Sequence, residues 1–462
     1  MNYILEDNIR LRKWKDSSFC YISGERDRKV PLTEAEYALL RQCDGKTDLN
    51  PCDLLYSFEA MRVISRCGKD EAVPAADAFV EYPNYYFKYI DWTITERCNY
   101  NCLHCFHAAD NDRHTDEFSR EEALSLIKEA AECGIEGIRL TGGEPLLYPH
   151  FREILLEIKK SGLRLATLIT NGSLLDGGLL DHIRKVHPDT TVMISFDGIG
   201  THDWLRQHSG SEDQVKKAIR LSKEYGFSVK INMNVNRRNR ARIFESVQML
   251  VGLGVDKIRI IKTTEAPRWQ LNAAEDSLTI REYYDFSSEF ASQYKNCGLL
   301  LPVTIWQSLY LNGKKKEYGI LPVKTSKSAY RDDLLICNAM KRKVSVQANG
   351  DIIPCAPLAG LYTSLGVKTG NVKRDGLKAV LSKGQLTMDV TKTVGEKRSF
   401  PGKCGACPYF ENCQGGCPAL SMLFGGSFLS ADDYKCAFFD GGYYEKYQQA
   451  LSGWRERNPL DD

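Results

Sequence analysis

Three cysteines stand close together in WTITERCNYNCLHCFH: Cys98, Cys102 and Cys105, spaced C-x3-C-x2-C just past a short apolar run that reads as a strand. The chain has sixteen cysteines and no secretory signal; cytosolic thiols stay reduced, so spacing decides what they do. Three thiolates on one loop can hold three irons of a 4Fe–4S cube and leave the fourth iron open to a small chelating ligand. A zinc loop is the alternative, but zinc sites usually come as paired C-x2-C units that close four ligands. Further along, Thr141-Gly142-Gly143-Glu144-Pro145 puts a carboxylate on a turn whose glycines permit close backbone approach, an arrangement suited to an ammonium.

A second set begins at Cys337 and reads C-x12-G-x4-C through Gly350 and Cys355. Then follow Cys404-x2-Cys407-x5-Cys413-x3-Cys417 and finally Cys436. Zinc knuckles would account for Cys404 to Cys417, but not for the Gly350–Cys355 turn or Cys436. The remaining Cys20, Cys43, Cys52, Cys67, Cys133 and Cys297 are scattered, and most read as small buried thiols.

The elements that must position these groups follow from periodicity. Residues 91–300 repeat a strand-then-helix unit, with strands at Trp92–Thr95, Gly137–Thr141, Leu165–Thr170, Val192–Phe196, Val229–Met233 and Lys257–Lys262. Amphipathic helices lie between them, one opened by a Ser119/Glu122 capping box. Such alternation implies a parallel sheet with right-handed crossovers, with chemistry at the carboxyl ends of the strands. Six units make an α/β fold of the partial (β/α)6 barrel type. The first 85 residues read as a separate small α/β module: strands near Ile9–Lys13 and Phe19–Ser23, then a helix capped by Thr33 and Glu36. From Cys337 the chain is rich in Gly, Pro and Cys and reads as a small domain in which metal ligands replace core. The expected domains are 1–85, 86–300, a bridging segment 301–336, a cluster domain 337–440 and a tail 441–462.

Composition excludes several classes. With 462 residues, 43% hydrophobic and 26% charged, the chain is an ordinary globular protein of two or three domains. A net charge of +2 gives no general attraction for nucleic acid, and no apolar run is long enough for a membrane span. The N-terminus MNYILEDNIRLRKWKD has no signal-peptide core, so a cytoplasmic location is expected.

The cysteine triplet after the first strand resembles the signature of the radical S-adenosylmethionine superfamily. That resemblance implies a 4Fe–4S cluster on Cys98, Cys102 and Cys105, with S-adenosylmethionine on the open iron. It gives Gly142, Gly143, Glu144 and Pro145 the methionine amino group, with Glu144 as charged partner. Asn171, at the end of the third strand, and Ser195 and Asp197, at the end of the fourth, fall where family members contact the ribose and nearby polar groups. Arg206 resembles the arginine that pairs with the methionine carboxylate, and His104 takes a position near the adenine. His107 has no motif support. The second cysteine set resembles the SPASM extension, which carries auxiliary clusters. Carried over, Cys404, Cys407, Cys413 and Cys436 hold an outer cluster, and Cys337, Cys355 and Cys417 an inner one that is one thiolate short. Cys297, Asp332 or Asp333 completes it, or it is open to a substrate thiolate. Three clusters in all are expected, with a flavodoxin- or ferredoxin-type electron donor.

Extended members of this family mostly act on peptides. The N-terminal module resembles the winged-helix-like element by which ribosomal-peptide maturases, such as thioether (sactipeptide or ranthipeptide) synthases, bind a leader peptide as an added strand. The resemblance therefore implies oxidative modification of a precursor peptide, such as a cysteine thioether cross-link. The other readings are a carbon–carbon cross-linking maturase, an anaerobic sulfatase maturase and a non-catalytic electron-transfer or scaffold protein. Sulfatase maturases carry Asp immediately after the cysteine equivalent to Cys355, where this chain has Ala356.

Overall fold

The N-terminal residues build two small sheets from β1 (Asn2–Leu5), β2 (Ile9–Trp14), β3 (Ser17–Ile22), β4 (Arg28–Leu32), β5 (Ile64–Cys67) and β6 (Phe79–Glu81). One sheet has the order β4-β3-β2-β6; the other pairs β1 with β5. In this computed structural model, residues 1–23, 28–70, 73–105, 117–265, 267–324, 330–358, 361–362 and 365–457 are described; His107 lies outside them. Helix α1 (Glu34–Arg41) starts at the Thr33/Glu36 capping box, and α2 is Asp53–Ala60. Alternate residues of β2, Ile9 and Leu11, point inward with Tyr37, Leu40, Leu55 and Phe58 to make a core of the module's own.

The module is tied to the next domain around one acidic residue and through one tryptophan. Glu136 accepts from Tyr21 Oη at 2.9 Å and Tyr86 Oη at 2.8 Å, and pairs with Lys29. Trp14 Nε1 donates to the Cys133 carbonyl at 3.0 Å.

The barrel strands run β7 (Tyr89–Thr93), β8 (Gly137–Thr141), β9 (Arg164–Thr170), β10 (Thr191–Ser195), β11 (Ser228–Val235) and β12 (Lys257–Lys262), each pairing in parallel with the next. Between them lie α3 (Arg120–Glu132), α4 (Phe151–Lys160), α5 (Gly177–Val186), α6 (His202–Arg206), α7 (Ser211–Glu224) and α8 (Ile243–Gly252). Helix α3 opens on the Ser119/Glu122 capping box. The strands alternate: Val229, Ile231, Met233 and Val235 are buried against the helices, while Lys230, Asn232 and Asn234 face the barrel lumen.

The sheet extends past the sixth unit to twelve strands, in the order β17-β16-β7-β8-β9-β10-β11-β12-β13-β14-β15-β18. After α9 (Pro267–Ala273) and α10 (Ile280–Asn296), residues read from sequence as a bridge supply β13 (Val303–Ile305), β14 (Leu309–Asn312) and β15 (Glu317–Ile320). Next come α11 (Asn338–Arg342), β16 (Lys343–Val346) and β17 (Ile352–Ile353); β16 pairs in parallel with β7, so the cysteine-rich domain is sewn onto the barrel's first strand. The segment read as a tail contributes a helix, Tyr443–Ala450, and β18 (Arg455–Glu456). The cysteine-rich domain is not poor in core: Leu358, Leu377, Leu381, Phe410 and Phe438 join the barrel's own cluster.

Candidate active site and cluster-binding sites

The triplet lies on the loop after β7, at the carboxyl end of the sheet. Cys98, Cys102 and Cys105 pack together with Tyr100, whose ring stacks on His208 with centroids 4.3 Å apart. Burial and the neighbouring thiols push Cys98 up to about 12; bound iron would hold these groups as thiolates instead. Among the described residues no three His, Cys, Asp or Glu side chains close around one point as ligands of a single ion do. A cube, with a separate iron for each thiolate, spreads its ligands wider.

The Gly-Gly-Glu-Pro turn presses directly on this loop. Gly143 N donates to the Thr95 carbonyl and Glu144 N to the Arg97 carbonyl, each at 2.8 Å. A Cβ on Gly142 would stand 2.5 Å from the Thr95 carbonyl oxygen, so glycine here allows backbone to meet backbone. Glu144 is fully buried and accepts from Thr170 Oγ1 and Asn171 N at 2.8 Å and Leu146 N at 3.2 Å. Burial outweighs these bonds and pushes its carboxyl up to about 7. Among the described residues no cation pairs with it, which fits an incoming ammonium.

Asn171 ties the third strand to the cysteine loop. Its Nδ2 donates to Asn99 Oδ1 at 2.9 Å, and its Oδ1 accepts from Ser173 Oγ at 2.7 Å; Asn99 Nδ2 closes the triangle on Ser173 Oγ at 2.8 Å. Asn99 sits inside the C-x3-C spacing, and the sequence reading passed over it.

Asp197 and Arg206 are brought together rather than apart. Arg206 Nε lies 2.7 Å from Asp197 Oδ2, and Arg206 Nη1 lies 3.8 Å from Cys102 Sγ. Asn234 N and Nδ2 donate to Asp197 Oδ1 at 2.8 and 3.1 Å. Burial opposes ionisation of Asp197, but Arg206 and His202 hold its carboxyl well below the usual range. His104 is buried beside this pair, and desolvation, then Arg206, push its imidazole down to about 3. Among the described residues its Nδ1 has no hydrogen-bond partner. Ser195 ends β10 facing the lumen, paired in register with Asn232.

The seven later cysteines form two neighbouring groups. Cys404, Cys407, Cys413 and Cys436 line one cavity of about 290 Å³, room enough for a cube. Cys337, Cys355 and Cys417 lie near enough to act on one another. Of the residues considered as a further inner ligand, Cys297 is exposed at the end of α10, Asp333 pairs with Arg331, and Asp332 accepts from Tyr330.

Three lysines, Lys397 and Lys435 buried and Lys324 half-buried, stand between these groups, and no local pattern in the sequence marks them. Lys324, Lys397 and Lys435 each face two or more of the cysteine thiols, and burial lowers all three. Lys397 Nζ donates to Ser421 Oγ at 2.8 Å and the Phe428 carbonyl at 3.2 Å. Asp432 Oδ2 accepts from Cys417 N at 2.8 Å.

Residues 92–256 match the radical SAM superfamily, and residues 337–408 match SPASM, an iron–sulfur cluster-binding domain. A curated relative, the AdoMet-dependent heme synthase of Methanosarcina barkeri, is 26% identical over 76% of this chain and 97% of its own length. Among solved structures, SuiB of Streptococcus suis bound to its precursor peptide SuiA aligns with a TM-score of 0.63 at 15% identity, covering 94% of this chain and 99% of SuiB. The anSMEcpe enzyme bound to AdoMet and the Cp18Cys peptide aligns with a TM-score of 0.56 at 18% identity, covering 78% of this chain and 95% of its own.

Proposed function

For a chain that carries a radical SAM domain followed by a SPASM domain, we propose oxidative modification of a ribosomally made precursor peptide, forming a thioether from a cysteine sulfur to another residue's carbon. A 4Fe–4S cluster on Cys98, Cys102 and Cys105 supplies, when bound, the electron that cleaves S-adenosylmethionine to the 5′-deoxyadenosyl radical. Everything else is placement by the chain. Glu144 receives the methionine ammonium, and the Asn99–Asn171–Ser173 triangle holds the end of the third strand against the cysteine loop. The Asp197–Arg206 pair braces Cys102 from the opposite side. Ser195 and His104 complete the wall on which the nucleoside lies. The second set of cysteines holds two further clusters, three in all, and a flavodoxin- or ferredoxin-type protein supplies electrons.

The observation that carries the peptide reading is the N-terminal module. The likeness to SuiB covers 94% of this chain, a span that must include most of residues 1–85, whereas the likeness to anSMEcpe covers 78%. SuiB was solved with its precursor peptide. Strand β4 lies at the edge of its sheet, where an extended leader can add as a further strand. A second reading, a tetrapyrrole substrate, is favoured by the heme-synthase relatives.

The test is anaerobic co-expression with a candidate cysteine-containing precursor peptide, followed by mass spectrometry. A loss of two hydrogens per cross-link, with 5′-deoxyadenosine formed, supports the proposal. An unmodified precursor together with turnover of an iron-porphyrin would replace it with the second reading.

A further inference from the structure

Arg259 stands in the middle of β12, between Ile258 and Ile260, which are fully buried against the helices. Its side chain therefore faces the lumen. In register it pairs with Asn232 of β11, which pairs with Ser195 of β10, so Arg259 shares a layer with the end of the fourth strand. Arg139, Tyr283, Cys355 and Asp91 are near enough to act on it. Asp91 is already shared: Arg139 Nη1 lies 2.9 Å from one oxygen and Lys343 Nζ 2.8 Å from the other. Among the described residues the Arg259 guanidinium makes no ion pair and donates no hydrogen bond. A half-buried guanidinium that faces the lumen with no acceptor of its own is open to a ligand that supplies one. The group that suits its planar fork is a carboxylate, held by two parallel hydrogen bonds.

We propose that Arg259 is a substrate-binding residue that takes a carboxylate of the peptide, from an Asp or Glu side chain or the C-terminus, and fixes it between Ser195 and the Cys337–Cys355–Cys417 group. This rests on the peptide reading above. It places an acidic group within a few residues of the position modified.

The test uses iron-loaded enzyme with S-adenosylmethionine and no reductant. It is challenged with a pool of random ten-residue peptides, made both as C-terminal acids and as amides, and retained peptides are sequenced by mass spectrometry. Wild-type enzyme is expected to favour peptides with Asp, Glu or a free C-terminus by about tenfold or more over their Asn, Gln or amidated counterparts. The acid and amide arms tell a terminal carboxylate from a side chain. Arg259→Gln should bring the ratio to parity, and Arg259→Lys, which keeps charge but loses the fork, should fall between. Iron content and S-adenosylmethionine binding report that each variant is folded. No acidic preference in the wild type, or a preference that survives in Arg259→Gln, overturns the assignment while leaving the peptide reading intact. If Arg259→Gln instead shifts an auxiliary-cluster potential with peptide preference unchanged, the arginine balances cluster charge and the assignment is wrong. Retention of no peptide by any of the proteins defeats the peptide reading and the assignment with it.

Discussion

Arg206 donates from Nε to Asp197 Oδ2 across 2.7 Å, with both side chains buried, and its far nitrogen reaches toward Cys102. Breaking a buried pair by removing one partner leaves an uncompensated charge. Asp197→Asn is therefore expected to destabilise the protein by about 3 kcal/mol or more. The carboxyl is held well below its ordinary range, so its contribution is present at neutral pH and is lost as pH falls toward that low folded value. Anaerobic urea titration measures the change; a difference under about 1 kcal/mol would show the pair to be dispensable.

Glu144 gives a pH signature. Its carboxyl titrates near 7 before ligand binds, because burial outweighs its hydrogen bonds. An ammonium needs the ionised form, so affinity for S-adenosylmethionine should fall about tenfold per pH unit below that point and level off above it. Stability of the ligand-free protein should run the other way. Between 4.5 and about 7 the folded state holds a proton that the unfolded chain has released, so stability declines as pH rises through that window. Glu144→Gln should flatten both curves and weaken binding by about 10- to 100-fold. Equilibrium binding at pH 6, 7 and 8 decides it.

The cluster count is open to elemental analysis. About twelve irons per chain are expected from three cubes, and Cys407→Ala should lower this to about eight by emptying the outer cavity. A value near four in the wild type would mean that the later cysteines hold no cubes.

Lys397 is fully buried and faces Cys404, Cys413 and Cys417. Its positive charge favours the reduced, more negative state of a nearby cluster. Lys397→Met, which keeps much of the volume, should lower an auxiliary potential by about 60 mV or more, equivalent to a tenfold change for one electron. Redox titration followed by electron paramagnetic resonance measures it, and an unmoved potential would leave the lysine a packing role only.

Much of the site was legible because its residues sit close together in sequence. The Cys98–Cys105 spacing, the turn at Gly142–Pro145 and the order of the seven later cysteines are local patterns, and the capping boxes at Thr33 and Ser119 were readable for the same reason. The six barrel strands fell within a few residues of where periodicity put them, though the first starts earlier, at Tyr89. What sequence did not show depends on tertiary register. Nothing local says that Asp197 faces Arg206, that Asn99 meets Asn171, or that Lys324, Lys397 and Lys435 converge from separate segments. The short strands β13 to β15 escaped because three or four residues carry too little pattern to distinguish a strand from a loop.

The parallel pairing of β16 with β7 has a consequence for any attempt to divide the chain. Four residue pairs, from Lys343↔Tyr89 to Val346↔Trp92, occupy the flank of the barrel's first strand. A protein truncated before Cys337 would bare that flank just ahead of the cysteine loop, as a sticky template for self-association. The radical-generating half is thus not a detachable engine; it borrows its outer wall from the half that follows.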